Sequence, residues 1–129
     1  MKNKQKIIPL FKPHYPKGIG NKIENVFKSG IITEGVHSDK FEKKISSYIS
    51  NKNSVLLNSC TSALEMCSLL IGFKKNNEVI LPSFSFVTTG SSFARAGFKL
   101  RYCDIQKINL MPSFDQIKKC VNKNTKAIV

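Results

Sequence analysis

The chain is 129 residues long and 41% hydrophobic, and it carries 21 lysines and arginines against 8 acidic residues, a formal net charge of +13. That length suits one domain with a packed core and argues against wholesale disorder. The charge raises nucleic acid or a membrane surface as partners, yet only Arg95 and Arg101 are arginines and no aromatic residues interleave with a basic stripe.

The lysines stand in ones and twos among asparagines, as in Lys2-Asn3-Lys4, Asn51-Lys52-Asn53 and Asn122-Lys123-Asn124. Base readout and bidentate phosphate clamps favour arginine, so a solvated lysine-rich surface is the better reading and no nucleic-acid partner is expected. Cys60, Cys67, Cys103 and Cys120 form no CxxC pair, and only His14 and His37 could join them, which speaks against a metal site. The basic N-terminus lacks the apolar segment of a signal peptide, and no apolar run is long enough to insert into a membrane. Reduced thiols in a cytoplasmic protein are therefore expected.

In chain order, Met1 to Lys6 is a charged lead-in. Ile7-Ile8-Pro9-Leu10-Phe11 follows as an extended segment that Pro9 and Pro13 keep from being helical, and it should pack against something larger. Ile19, Ile23, Val26 and Phe27 recur at helical spacing, predicting an amphipathic helix that ends near Ser29 and stops at Gly30. After the loop 30–35, a second helix is expected from Ser38 or Asp39, burying Phe41, Ile45, Tyr48 and Ile49. Residues 1–53 thus read as an extended segment and two helices, and residues 54–129 as the first part of an α/β domain.

From residue 54 strand and helix alternate. Strands are expected near 54–58, 78–81, 99–103 and 126–129, with helices near 60–72, 86–96 and 113–121. That alternation predicts parallel strands with helices on the sheet faces. Val55-Leu56-Leu57 reads as a short buried strand that hands over to the helix beginning at Ser59-Cys60-Thr61. A helix start of this kind aims unpaired amides and a positive dipole end at an anion, phosphate above all. Ser and Thr are also the ordinary capping residues and need no ligand. Lys126-Ala127-Ile128-Val129 reads as a strand in which the chain stops, so the sequence looks truncated.

Taken together, Ile8-Pro9-Leu10, Ser29-Gly30-Ile31-Ile32-Thr33-Glu34-Gly35, Ser59-Cys60-Thr61-Ser62-Ala63-Leu64-Glu65-Met66, Glu78-Val79-Ile80-Leu81-Pro82-Ser83, Phe86-Val87, Gly97, Asp104 and Thr125 to Val129 carry a resemblance in sequence and spacing. The chain resembles the N-terminal part of the DegT/DnrJ/EryC1/StrS family of pyridoxal-phosphate-dependent nucleotide-sugar aminotransferases. The resemblance implies the truncated large domain of a type I aminotransferase fold, an α/β three-layer structure with a mainly parallel sheet. It implies pyridoxal 5′-phosphate as cofactor, a nucleotide sugar and glutamate as substrates, and a homodimer. The implied reaction moves an amino group from glutamate to the 4-keto position of a dTDP-linked deoxyhexose.

By position in the resemblance, Cys60 and Thr61, with Ser59 just ahead, would hold the cofactor phosphate, and Phe86 would stack on the pyridine ring. Without it, Phe86 reads as a core residue. Gly30, Thr33 and Gly35 would lie near the sugar nucleotide; read alone, they are a turn. The chain departs from the family pattern at Asn76-Asn77, where Gly-Asp is common, and at Ser85, where Thr is common. The resemblance also places the family's Schiff-base lysine, its acidic partner for the pyridine nitrogen and the C-terminal domain beyond position 129. No catalytic residue is expected within the chain, which would then be an inactive fragment, because its lysines sit in polar runs such as Lys43-Lys44 and Lys118-Lys119. In the family's sheet order three absent strands would separate the strand at Val55 from that at 126–129, a gap of roughly 19 Å at ~4.8 Å per strand.

Overall fold

The computed structural model describes residues 7–129, so the charged lead-in lies outside the described residues. The chain resolves into two compact units, one ending at Leu56 and one running from Leu57 to Val129.

The first unit carries helices α1 (Ile19–Ser29) and α2 (Val36–Tyr48). α1 stops where the chain turns left-handed at Gly30, φ 73°, a conformation glycine adopts without a Cβ penalty. α2 starts earlier than Ser38 or Asp39, because extended Gly35 is its N-cap and no side chain caps it. The expectation that Phe41, Ile45, Tyr48 and Ile49 are buried is not met: all four are exposed, Tyr48 to 88%. Ile7 to Phe11 has no regular structure and is likewise exposed rather than packed.

The second unit contains α3 (Cys60–Ile71), β1 (Glu78–Pro82), α4 (Val87–Arg95), β2 (Lys99–Cys103), α5 (Phe114–Cys120) and β3 (Thr125–Ile128). The three strands are parallel in the order β2-β1-β3. Glu78 to Pro82 pair in register with Lys99 to Cys103, and an irregularity after Glu78 shifts the pairing with β3 to Val79 opposite Ala127. Val79-Ile80-Leu81 is a continuous apolar run because the central strand of a parallel sheet is covered on both faces, and all three residues are buried.

On one face Val79 packs with Phe93 of α4, Phe98 and Leu64 of α3. Phe98 meets Phe73 and Phe93 edge to face, with centroids 5.5 and 6.0 Å apart. Gly90 lets α4 approach the sheet closely: a Cβ there would stand 3.1 Å from Leu81 and from Leu100. On the other face Ile80 and Cys103 meet Ile117 of α5. The result is helix, sheet and helix in three layers.

The expected strand at 54–58 does not form. A strand requires a hydrogen-bonded neighbour, and among the described residues Val55 to Leu57 have none. The Leu56 amide donates instead to the Glu42 carboxylate at 2.6 Å, and Val55 and Leu56 are exposed rather than buried.

Candidate functional site

In the second unit the starts of α3 and α4 come together. Ser59 is extended and serves as the N-cap of α3; its Oγ accepts from the Ser62 amide at 3.1 Å. The Ser62 hydroxyl donates to Asn58 Oδ1 at 2.7 Å, which fixes the turn ahead of the helix. With the third amide of the helix occupied, those of Cys60 and Thr61 have no hydrogen-bond partner among the described residues and sit at the positive end of the dipole. Cys60 is exposed and Thr61 half-buried.

α4 begins in a similar way. Phe86 is its N-cap without a side-chain hydrogen bond, and Thr89 turns back to the Phe86 carbonyl at 2.9 Å. The Val87 and Thr88 amides are left open among the described residues. The two helix starts are tied together, because Thr61 Oγ1 donates to Thr88 Oγ1 at 3.2 Å. The loop before α4 is anchored at the carboxyl end of the sheet, where the Ser83 amide donates to the Cys103 carbonyl at 2.8 Å.

The two open amides at each helix start and the Thr88 hydroxyl, which accepts from Thr61 and keeps its own proton, thus lie at the joined starts of α3 and α4, a set of donors suited to an oxyanion. Phe86, expected in the core if no ligand is involved, is instead 74% exposed, two residues before Thr88. The Phe86 ring is thus left open to solvent at the start of α4. Of the residues singled out from the sequence, Ser59, Cys60, Thr61 and Phe86 all belong to these two helix starts. Thr88 and Asn58 carry no functional signal in the sequence, because a Thr or Asn beside a helix start looks like ordinary capping.

Gly30, Thr33 and Gly35 belong to the first unit. Thr33 and Gly35 line a cavity of about 250 Å³ with Val26, Ser29, Ile31 and His37, whereas Gly30 does not. Every described lysine is exposed, so none has the desolvated surroundings that a Schiff-base lysine needs. Among the described residues no helix is long and apolar enough to cross a membrane.

The model of the DegT/DnrJ/EryC1/StrS aminotransferase family matches residues 15–129. The chain belongs to that family. It is 32% identical over 115 residues to the GDP-4-keto-6-deoxy-D-mannose 3-dehydratase of Yersinia pseudotuberculosis, covering 84% of this chain and 29% of that protein. It is 29% identical over 122 residues to the UDP-4-amino-4-deoxy-L-arabinose–oxoglutarate aminotransferase of Shewanella sediminis, covering 95% and 31%.

Spr1654 of Streptococcus pneumoniae, solved in PMP- and PLP-forms, superimposes with a TM-score of 0.85 at 26% identity over 94% of this chain and 31% of that one. The α/β fold is therefore part of a pyridoxal-phosphate-dependent aminotransferase domain, and the family's cofactor is pyridoxal 5′-phosphate. The chain spans about a third of the length of these DegT/DnrJ/EryC1/StrS relatives.

Proposed function

We propose that this chain is the N-terminal portion of a homodimeric sugar aminotransferase that moves an amino group from glutamate to the 4-keto carbon of a dTDP-linked 6-deoxyhexose. The product would be dTDP-4-amino-4,6-dideoxygalactose, used in the cytoplasm to build a surface polysaccharide such as enterobacterial common antigen, O-antigen or lipopolysaccharide. Supporting this choice of member is the string Ser59-Cys60-Thr61-Ser62-Ala63-Leu64-Glu65-Met66 followed by Pro82-Ser83 and Phe86-Val87.

In this reading the Cys60 and Thr61 amides and the start of α4 hold the cofactor phosphate, while the Thr61 hydroxyl ties the two helix starts together. Ser59 shapes the turn by occupying the Ser62 amide. Phe86 covers one face of the pyridine ring, and Gly30, Thr33 and Gly35 form part of the nucleotide-sugar site. When bound, the cofactor supplies the electron sink for amino transfer. This chain's residues bind and orient it; a proton-moving lysine would come from elsewhere in the whole enzyme. A second reading, a non-catalytic remnant or dimerisation partner of a full-length copy, is favoured by the exposure of every described lysine.

The observation that carries the proposal is the pair of helix starts joined by the Thr61–Thr88 hydrogen bond. Calorimetric titration with pyridoxamine 5′-phosphate tests it, since that form lacks the aldehyde that would react with surface lysines. Pyridoxamine without phosphate should bind at least tenfold more weakly, and Thr61→Val should weaken only the phosphorylated form. Equal affinity for the two compounds would overturn the proposal.

A further inference from the structure

On the face of the sheet opposite the helix starts lies a second cluster that the proposed function leaves unused. Alternate residues of a strand share a face, so Arg101 and Cys103 of β2 point to the same side. α5 packs against β2 there, and Ile117 of α5 shares a small apolar cavity of about 120 Å³ with Cys103. Cys120 lies one helical turn beyond Ile117 and on the same helix face.

That spacing places Cys120 on the face of α5 that packs against β2, across the seam from Cys103 and Arg101. Cys103 is 1% exposed, and its Sγ donates to the Asp104 carbonyl at 3.7 Å. Cys120 is half-buried and so is the accessible member of the pair. The titratable and charged groups facing the pair are Arg101, itself bound to Glu78 at 2.8 Å, and Asp104. The remaining thiols, Cys60 and Cys67, are exposed on α3 in the opposite layer.

We propose that Cys103 and Cys120 are a reversible dithiol–disulfide pair, a modification site at the seam between β2 and α5 that responds to small-molecule disulfides. Cys120, the more accessible sulfur of the pair, gives up its proton as it attacks one sulfur of a disulfide such as oxidised glutathione. The S–S bond of that reagent breaks, and one glutathione leaves as a thiolate that takes up the proton. Cys103 then loses its own proton and attacks the mixed disulfide at Cys120, expelling the second glutathione. Two electrons and two protons pass from the protein pair to glutathione. Burial, then the neighbouring Cys120, pushes the Cys103 thiol up, consistent with Cys103 acting second. The new bond closes the segment between the two residues and staples α5 to the sheet.

Incubation of the reduced chain with oxidised glutathione, followed by intact mass and non-reducing peptide mapping, tests the assignment. The expected result is a Cys103–Cys120 linked peptide two hydrogens lighter than the reduced pair, reversed by dithiothreitol, whatever glutathione the exposed Cys60 and Cys67 take up. With Cys60 and Cys67 replaced by serine, Cys103→Ser should stop at a single glutathione adduct on Cys120, and Cys120→Ser should leave Cys103 unmodified in the folded protein. Should either variant fail to fold, the map of the unaltered chain decides alone. Adducts confined to Cys60 and Cys67, with Cys103 and Cys120 still reduced at the same oxidant ratio, would overturn it.

Discussion

The hydrogen bond between Thr61 and Thr88 makes a quantitative demand on the site. If the 3.2 Å contact holds the starts of α3 and α4 together, replacing either threonine by the near-isosteric valine removes the same bond. Both side chains are only half-buried, so the hydroxyl left behind can bond to water and little extra penalty is expected. The net loss should be that of one neutral hydrogen bond, about 1 kcal/mol within a range of ~0.5–1.5. A domain of this size loses roughly 4–8 °C in Tm per kcal/mol.

Thr61→Val and Thr88→Val should therefore each lower Tm by several degrees, and the double variant should be hardly worse than either single one. The cycle is read by thermal unfolding followed by circular dichroism, with denaturant titration as a second probe. A coupling energy of about 1 kcal/mol supports the contact as the tie between the helices. Fully additive losses would show that the two hydroxyls do not depend on each other, and the cradle would lose its physical basis.

Other consequences can be checked on the same protein. Val79 is 0% exposed at the centre of the core, and Val79→Ala should cost about 2–3 kcal/mol in urea unfolding, ~1.6 from the two missing methyl equivalents and the rest from the cavity. Ser92 is buried with a hydroxyl that finds no partner among the described residues, so Ser92→Ala should be neutral or stabilising by up to about 2 kcal/mol in the same assay. The Arg101 and Asn122 hydrogen bonds hold the Glu78 carboxyl below its usual range. A lowered folded-state pKa means stability that is present above the unfolded carboxyl pKa and disappears as pH falls through the folded one. Acid titration of stability should show that loss in the unaltered chain and a flatter acid limb in Glu78→Gln.

Much of the second unit could be read from the residues, because its signals are local. Val79-Ile80-Leu81 bounded by Pro82, the capping box of Ser113 with Gln116 ahead of α5, and the glycine after α4 each act through their own neighbours. What failed depends on partners farther away. Val55-Leu56-Leu57 has the composition of a buried strand, but composition supplies no adjacent strand, and the Leu56 amide settles on Glu42. The apolar face of α2 has helical periodicity, yet Phe41 and Tyr48 meet no covering surface within their unit.

The start of α2 is hidden from the sequence for a different reason. Ser38 and Asp39 look like caps, whereas Gly35 does the work through backbone geometry alone, and the bond from the Asp39 amide to the Gly35 carbonyl at 3.0 Å closes the first turn. At the candidate site, Ser59, Cys60 and Thr61 announced a helix start in plain sequence. Thr88 became meaningful only once the fold placed it against Thr61, some 27 residues away along the chain.

The claim that the paired helix starts grip a phosphorylated cofactor is tested most directly by amide chemical-shift mapping with pyridoxamine 5′-phosphate on the isotopically labelled chain. The account predicts saturable shifts concentrated at the Cys60, Thr61, Val87 and Thr88 amides, with matching changes at the Phe86 ring. Shifts spread over the lysine-rich surface, with those four amides unmoved at saturation, would contradict it.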